Sequence, residues 1–388
     1  MYHTDILDTD LYKLTMQMAI CRLYPRVKAR YTFINRDGRE FPAGFGNCLR
    51  EIIDGFKSLK LTTDGRDFIR EKCYYLDPLY IDFLAGYRYN PKEVTIEQEC
   101  QKLIISIEGY WYRTVLWEVP LMETISELYF EMTKQGDGEE ILTVRNKAKA
   151  EALDDAGAKY SEFGTRRRKS FINQNNVIIS LKKNGRGSML GTSNVYFAMT
   201  CDLIPMGTQA HEWTQYHGAR YGYKMANEMA LEAWTQVYQG DLGTALSDTF
   251  TTDVFLKSFG TKYAKLFDGV RQDSGDPLVF VEKIIKHYEK MRVNPLFKMA
   301  MFSDNLKSTE QIKAIHDACN GRIIDRYGIG TWLSNDCGVK PLNMVIKLTE
   351  VDFGQGRVPT VKLSDDIGKN TGDSTEVTLC KQVLGIGA

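Results

Sequence analysis

The chain has 388 residues, of which 43% are hydrophobic and 26% charged, a composition typical of an ordinary soluble globular protein of two or three domains. Its 50 basic and 50 acidic side chains cancel, which argues against a dedicated nucleic-acid binder and a polybasic membrane anchor. No stretch approaches ~18 consecutive apolar residues, and the polar start shows no signal segment. The eight cysteines include no Cys-x-x-Cys pair, so we expect reduced thiols in the cytoplasm.

The first third of the chain is predicted to mix helices with antiparallel strands. Asp8 or Thr9 is a candidate cap for a first helix, which Pro25 should end. The segments 94–99 and 102–108 alternate like strands, and the chain between them is too short for a helix. They therefore predict a hairpin.

The middle of the chain changes character after two further helices. Pro120 is expected to open one, and 141–156 forms the other. Short apolar strands then end in polar or charged clusters, and we count seven such ends: 163–166, 191–193, 207–211, 247–248, 271–275, 303–305 and 328–331. Strands that alternate with helices indicate a parallel sheet, here a closed α/β barrel with its chemistry at one mouth. An open doubly wound sheet remains the alternative.

The end of the chain returns to strands. The segments 344–350 and 358–364 flank a glycine-rich turn and predict a second hairpin. The simplest assembly joins the two terminal hairpins into one β-rich α+β domain of residues 1–140 and 341–388. It would lie beside a barrel domain of residues 141–340.

Four consecutive cations, 166–169, follow a predicted buried strand. The run is either a solvated charged surface or an anion site, and Gly164 favours the second interpretation because it permits close backbone approach. Arginine suits the planar, bidentate recognition of phosphate or carboxylate. The segment therefore predicts a binding site for an anion.

Three acidic residues end predicted strands. Asp273 stands two residues from Arg271, either as a structural ion pair or with Asp273 on a hydroxyl or hydrated cation and Arg271 on an anion. Asp248 and Asp304 end two other strands. Each could be a helix cap, but three carboxylates around one mouth can hold Mg²⁺.

Three further features could bind substrate. Gly328, Gly330 and Thr331 form either a phosphate-cradling turn or an ordinary tight turn. His211 is the one histidine at a predicted strand end, and it is either a packing residue or a base or phosphoryl acceptor. Tyr12 stands between polar neighbours, and its ring either stacks on a ligand or packs in the core.

Together these motifs resemble the nicotinate phosphoribosyltransferase family over nearly the whole chain. The matching segments are 7–14, 116–120, 163–168, 191–194, 206–213, 273–277, 302–306, 328–331 and 361–365. The resemblance implies an irregular seven-stranded α/β barrel with a β-rich domain built from both termini. It also implies transfer of the phosphoribosyl group of phosphoribosyl pyrophosphate (PRPP) to nicotinate, coupled to ATP hydrolysis through a phosphohistidine.

The resemblance also implies roles for particular residues. His211 would accept the phosphoryl group, and the partner subunit would supply Tyr12. The implied nicotinate-binding residues are Tyr12, Phe163, Ser193, Thr208 and Arg271. The implied PRPP-binding residues are Arg166, Asp248, Asp273, Ser274, Gly275, Ser303, Asp304, Gly328, Gly330 and Thr331. The candidate metal ligands, direct or through water, are Asp248, Asp273 and Asp304.

Substrate choice and partners follow from the same resemblance. Relatives that use nicotinamide carry an acidic residue at the position of Ser193, where a carboxylate would repel nicotinate. The implied cofactors are Mg²⁺ or Mn²⁺, with ATP as cosubstrate, in a cytoplasmic homodimer with shared active sites and no nucleic-acid or membrane partner. The alternatives are a nicotinamide or quinolinate phosphoribosyltransferase, a metal-dependent hydrolase or Schiff-base aldolase barrel, and a non-catalytic binding protein. A hydrolase barrel would need several histidines at strand ends, and this chain has only one there. An aldolase would need a lysine at a strand end, and no cluster has one in an obviously buried position.

Overall fold

The computed structural model describes residues 5–366 and 369–387. Its helices are α1 Leu11–Leu23, α2 Phe45–Gly55, α3 Thr63–Lys72, α4 Pro78–Gly86, α5 Trp111–Thr114, α6 Glu118–Thr133, α7 Glu139–Asp155, α8 Phe171–Asn184, α9 Val195–Thr200, α10 His211–Tyr221, α11 Ala226–Tyr238, α12 Thr252–Ser258, α13 Thr261–Leu266, α14 Pro277–Lys290, α15 Thr309–Cys319, α16 Thr331–Ser334 and α17 Ser374–Leu384. Across these described segments, no helix has both the length and the apolar character needed to cross a membrane.

The described residues form thirteen strands, and twelve of them belong to two sheets. They are β1 Lys28–Asn35, β2 Val94–Glu99, β3 Lys102–Tyr110, β4 Tyr160–Glu162, β5 Met189–Thr192, β6 Ile204–Pro205, β7 Gln239–Leu242, β8 Thr244–Leu246, β9 Gly269–Gln272, β10 Met299–Phe302, β11 Ile324–Ile329, β12 Met344–Asp352 and β13 Arg357–Pro359. One sheet has five strands in the order β13-β12-β1-β3-β2, and the other has seven in the order β6-β5-β4-β11-β10-β9-β8.

The seven-stranded sheet is parallel throughout. Each strand ends at one of the seven clusters predicted from the sequence, because short apolar strands stop where glycine and polar residues begin. The two edges of the sheet meet where Thr208, just after β6, donates its Oγ1 hydrogen to the carbonyl of Thr244 on β8 at 3.1 Å. The predicted irregular seven-stranded α/β barrel is therefore confirmed as a parallel sheet that curls into a half-barrel. Within the described residues its edge strands β6 and β8 form no ladder with each other.

The five-stranded sheet is antiparallel and joins both ends of the chain. Both predicted hairpins are confirmed, although the ladder of the second strand of the C-terminal hairpin ends at Pro359. Beyond it the chain crosses to the barrel, where the Leu363 amide donates to the Thr249 carbonyl at 2.8 Å. The domain boundaries at 140 and 341 stay a prediction, and residues 1–4, 367–368 and 388 lie outside the described residues.

The start of α1 differs from its prediction. The helix begins at Leu11, whose amide donates to the Ser193 carbonyl at 2.8 Å, so neither Asp8 nor Thr9 caps it. Asp8 instead forms an ion pair with the completely buried Arg168, with atoms 2.7 Å apart. A buried guanidinium without a carboxylate is strongly destabilising, and that requirement outweighs the cap.

Two predicted helices need small corrections. Helix α6 begins at Glu118, so Pro120 is its third residue rather than its first. That position tolerates proline because the first turn of a helix needs no amide donor. The helix predicted over 141–156 begins at Glu139 and ends at Asp155.

An aromatic cluster fixes the barrel to the antiparallel domain. The ring of Trp111 on α5 lies 4.4 Å from that of Tyr216 and 6.1 Å from that of Trp213, both on α10. These rings are almost completely buried, and aromatic contacts of this size dominate core energetics. Because α10 begins at His211, the cluster fixes that side chain relative to both sheets.

Candidate active site

A cavity of about 230 Å³ lies at the carboxyl ends of the barrel strands, with β12 of the antiparallel sheet on its other side. Such an edge is where α/β barrels place their chemistry. Nine of the residues predicted from the sequence line this cavity: Tyr12, Arg166, His211, Arg271, Asp273, Ser303, Asp304, Gly330 and Thr331. The structure therefore brings strand ends that are far apart in sequence to one place.

His211 stands at the start of α10, where hydrogen-bonding groups surround both ring nitrogens. Its Nδ1 lies 3.0 Å from Thr249 Oγ1. Its Nε2 lies 3.0 Å from Asp273 Oδ2, 2.9 Å from Lys362 Nζ and 3.7 Å from Asp248 Oδ1. Burial, and then the Lys362 ammonium, lower the pKa of His211 to about 4. The ring is therefore neutral at physiological pH and can act as a nucleophile.

Arg271 and Asp273 leave the end of β9 together. The guanidinium donates to Ser303 Oγ at 2.9 Å, to the Gln209 carbonyl at 3.4 Å and to Asp273 Oδ1 at 3.2 Å. Although burial alone would raise it, the Arg271 charge holds the pKa of Asp273 well below its usual range. Arginine has five N–H donors, so two remain for an anionic ligand.

A second cavity of about 230 Å³ lies inside the barrel and shares Arg271 with the first. The predicted residues Phe163 and Thr208 line it, together with methionine and proline side chains. Gly328 is required here, because a Cβ at that position would lie 2.4 Å from the Phe163 ring. Two guanidinium groups, of Arg271 and Arg326, also line this largely apolar chamber, and that combination suits an aromatic acid.

Tyr12 reaches the first cavity from its own chain. The contact between Leu11 and Ser193 docks the start of α1 on the end of β5, which brings Tyr12 to this cavity. The supply of Tyr12 by a partner subunit stays a prediction. Ser193 is buried and donates to Asp10 Oδ1 at 2.6 Å, so it supports α1 and lines neither cavity.

Buried charges lie beneath Tyr12. Lys13 is completely buried between Glu118 and Glu212. Arg166 lies 3.3 Å from Glu118 Oε1, and the Tyr12 hydroxyl lies 3.5 Å from Glu118 Oε2. Despite burial, Lys13 and then Arg166 lower the pKa of Glu118 to about 2. The ionised Glu118 therefore orients a ring and a guanidinium of the cavity wall.

Four of the predicted PRPP-binding residues do not line the first cavity. Gly328 packs against the Phe163 ring, and Asp248, Ser274 and Gly275 lie behind the cavity wall. Asp248 is completely buried and accepts from Ser274 Oγ at 2.6 Å. The Gly275 amide donates to Asp366 Oδ1 at 3.2 Å, with a backbone φ of +78° that favours glycine. These residues fix the loop behind His211, and the structure does not place them against the cavity.

The predicted metal ligands divide in the same way. Among the described residues, His211, Asp248 and Asp273 form one group whose ligand atoms lie within 4.8 Å of one another. Lys362 Nζ lies 3.5 Å from Asp248 Oδ2, so a cation already occupies that group. Asp304 stands apart, 3.8 Å from Lys369, and burial raises its pKa to about 6 against the attraction of that lysine.

The four-cation run divides as well. Residues Thr165–Arg167 form a 3₁₀ turn, and Arg166 and Arg167 line the cavity. Arg168 points away into its buried ion pair, and Lys169 donates to the Asp137 carbonyl at 2.7 Å. The predicted anion site therefore holds two of the four cations.

Sequence reasoning missed several cations of the cavity, namely Arg36, Lys307, Lys347, Lys362 and Lys369. A signal existed for Lys362, since it stands inside the matched segment 361–365. No such signal exists in the sequence for Arg36, which follows β1, or for Lys347 on β12, because nothing in these segments indicates which face of the sheet meets the barrel.

Comparisons with known proteins identify the family of the chain. The model of the nicotinate phosphoribosyltransferase family matches residues 158–388, and the model of its N-terminal domain matches residues 7–126. The chain is 49% identical over 383 residues to the nicotinate phosphoribosyltransferase of Chromohalobacter salexigens, covering 98% of each. It is 47% identical over 385 residues to that of Desulforapulum autotrophicum, covering 98% of this chain and 99% of the relative.

A solved structure agrees equally well. The crystal structure of nicotinate phosphoribosyltransferase from Porphyromonas gingivalis superposes with a TM-score of 0.96 at 43% identity, covering 99% of this chain and 100% of that one. Sequence and fold thus agree over the full length of the chain. The chain belongs to the nicotinate phosphoribosyltransferase family.

Proposed function

We propose that the chain transfers the 5-phosphoribosyl group of PRPP to nicotinate, giving nicotinate mononucleotide and pyrophosphate, the first step of NAD synthesis from nicotinate. ATP hydrolysis is coupled to the transfer through a phosphohistidine at His211, so the enzyme acts as a ligase. One observation carries the proposal: a cation-lined cavity with a neutral histidine shares Arg271 with an apolar chamber. Phosphates and an aromatic acid would thereby meet at one guanidinium.

Nicotinate fits the chamber inside the barrel. Phe163 and the methionines offer apolar contact, and Arg271 offers the two N–H donors that its protein contacts leave free. A bidentate pair with a carboxylate fixes the ring as well as its charge. Nicotinamide, which has no carboxylate, gains less from this arrangement.

PRPP fits the cation-lined cavity. Arg166, Lys347 and Lys362 face it from three parts of the chain, and Gly330 and Thr331 line it at the end of β11. Transfer through an oxocarbenium-like transition state needs no protein nucleophile. It needs both reactants held in line and the charge of the leaving pyrophosphate stabilised, and these cations serve both purposes.

Mg²⁺ fits the exposed part of the site. Asp273 and Asp304 line the cavity, and each side chain is 24% exposed. Mg²⁺ keeps several waters and binds through one or two carboxylates and substrate phosphates, so these two residues would hold it. The bound ion would neutralise pyrophosphate charge. Completely buried Asp248 supports the loop instead.

A cytoplasmic homodimer with shared sites stays part of the proposal. The proposal includes the supply of Tyr12 by the partner subunit, and Tyr12 also lines the cavity of its own chain. Sedimentation of the purified protein would give the oligomeric state directly.

One assay tests the proposed function. Purified protein is mixed with labelled nicotinate, PRPP and Mg²⁺, with and without ATP, and the mononucleotide is counted. Nicotinamide and quinolinate serve as parallel substrates. We expect product from nicotinate, enhanced by ATP, and little from the other two bases. Absence of product from nicotinate in both conditions would contradict the proposal.

Lys347 gives a prediction about pH. Burial, opposed by Glu118 and reinforced by Lys362, lowers the pKa of the Lys347 amine to about 7. A bound phosphate favours the charged amine and raises that pKa again, so binding should take up a proton between pH 7 and 8. PRPP affinity should fall as the pH rises above 7, by at most about tenfold per pH unit.

Calorimetry in two buffers of different ionisation enthalpy measures this proton uptake. The matched control is Lys347→Arg, which stays charged at every relevant pH. The arginine variant should lose this part of the uptake while the ionisation of PRPP itself remains. Equal uptake by both proteins would contradict the assignment to Lys347.

A further inference from the structure

One hydroxyl holds the Nδ1 side of His211. Thr249 Oγ1 lies 3.0 Å from Nδ1, and both residues are buried. A neutral imidazole has a proton on one nitrogen and a lone pair on the other, and the partner of each nitrogen decides which is which. A threonine hydroxyl can donate or accept. Thr249 can therefore pair with His211 in either tautomer.

The neighbours of Nε2 favour opposite tautomers. Lys362 Nζ lies 2.9 Å away and Asp273 Oδ2 lies 3.0 Å away. An ammonium only donates, so Lys362 requires a lone pair on Nε2, whereas a carboxylate only accepts and requires a proton there. Because Lys362 and Asp273 favour opposite tautomers at Nε2, the hydrogen bond between Thr249 and Nδ1 has a larger effect on which tautomer forms.

A backbone hydrogen bond holds Thr249 against the segment that carries Lys362. The Thr249 carbonyl accepts from the Leu363 amide at 2.8 Å, and Lys362 is the neighbouring residue. One extended segment thus fixes partners on both sides of the ring. Thr251, which follows in the same turn, has a φ of +75° and a ψ of 146°. A β-branched residue rarely adopts that conformation, and it persists only where the surroundings determine it.

We propose that Thr249 is a positioning residue that stabilises the His211 tautomer with the proton on Nδ1 and the lone pair on Nε2, the tautomer that donation from Lys362 favours. The inference rests on the proposed function, because a phosphoryl acceptor needs that lone pair pointing at the cavity. Thr249 accepts the Nδ1 proton, while Lys362 donates to Nε2 until the phosphoryl group arrives.

The step then needs no further proton transfer. The Nε2 lone pair forms a bond to the γ-phosphorus of ATP. The bond from that phosphorus to the bridging oxygen breaks, and its electron pair leaves with ADP. The proton stays on Nδ1, so the product is a phosphoimidazolium cation that carries a phosphoryl dianion. Thr249 pairs the same N–H before and after the transfer.

Two substitutions at Thr249 test the role. Thr249→Val removes the hydroxyl at nearly constant volume, and Thr249→Ser keeps it. Each protein is incubated with Mg²⁺ and ATP labelled at the γ-phosphate, and acid-labile label on the protein is followed with time. The valine variant should be phosphorylated about 10- to 100-fold more slowly, as when a residue that orients a functional histidine is lost. The serine variant should recover the rate, and the KM for nicotinate should stay near its starting value in both.

The tautomer itself can be observed. The chain has five histidines, so ¹⁵N-histidine spectra are simple, and the signals absent from a His211→Asn protein identify His211. We expect Nδ1–H in the natural sequence and a shift toward Nε2–H in the valine variant. Thr249→Ala is used in the same way if the valine variant does not fold.

The outcomes separate the two proposals. An unchanged tautomer and phosphorylation rate in Thr249→Val would overturn the role of Thr249 while leaving the proposed function intact. If the natural sequence takes up no label on His211 yet makes mononucleotide, the phosphohistidine fails, and the inference about Thr249 fails with it.

Discussion

Replacing His211 with alanine should abolish acid-labile phosphorylation of the protein and remove the stimulation of mononucleotide synthesis by ATP. A slower, ATP-independent transfer should remain, because the cations and Arg271 that hold PRPP and nicotinate are untouched. The neutral ring is the nucleophile, and burial lowers the pKa of His211 to about 4. Phosphorylation by the natural sequence should therefore persist through pH 6 and decline only as the ring is protonated near pH 4.

The matched control is His316→Ala. His316 Nδ1 lies 2.8 Å from Asp325 Oδ2, within hydrogen-bond distance, on a partly exposed part of the barrel, and it lines neither cavity. Its removal should leave ATP coupling in place. His211→Asn, which keeps most of the side-chain volume, separates loss of the nucleophile from loss of packing. Full ATP coupling in either His211 variant would exclude the residue as the phosphoryl acceptor.

The barrel could be predicted because its signals are local. Each strand of the barrel is short and is followed within two residues by glycine, serine or aspartate, and these local signals depend little on the rest of the fold. His211, Arg271 and Asp273 could be found for the same reason, since residues at the carboxyl ends of parallel strands converge. Their placement around one cavity follows from topology alone.

The antiparallel side of the cavity could not be predicted in this way. Arg36 follows β1 and Lys347 lies within β12. Whether such a side chain faces the barrel or solvent depends on how the sheet packs, and a shift of one residue in register would reverse it. The sequence offers no local signal for that packing. Only the structure, in which the antiparallel sheet packs against the barrel, shows that Arg36 and Lys347 line the cavity.

The buried ion pair of Arg168 shows a second limit. Four adjacent cations suggested one anion site, and two acidic or polar residues before α1 suggested a cap. A single long-range contact altered both interpretations, because Arg168 takes Asp8 as its partner from 160 residues away. Local propensity for capping is worth about 1 kcal/mol, whereas an uncompensated buried charge costs about 3 to 5 kcal/mol. The larger cost decides the structure.

The substitution Arg271→Ala should raise the KM for nicotinate on the order of a hundredfold, which corresponds to about 3 kcal/mol for losing hydrogen bonds to a charged group. The substitution should also lower the selectivity for nicotinate over nicotinamide, because the uncharged amide gains less from the guanidinium than the carboxylate does. Arg271→Lys should recover only part of the loss, since an ammonium lacks the planar pair of donors.

The other contacts of Arg271 make the outcome informative. The same guanidinium holds Ser303 and Asp273, so a structural role alone would disturb the neighbours of His211 and lower the rate of its phosphorylation. A role in binding the carboxylate would instead concentrate the loss in the KM for nicotinate. Arg322→Ala, which removes an exposed ion pair with Glu282, is the matched control for loss of an arginine. An unchanged KM in Arg271→Ala would remove this residue from the carboxylate site and leave Arg326 as the other guanidinium that lines the apolar chamber.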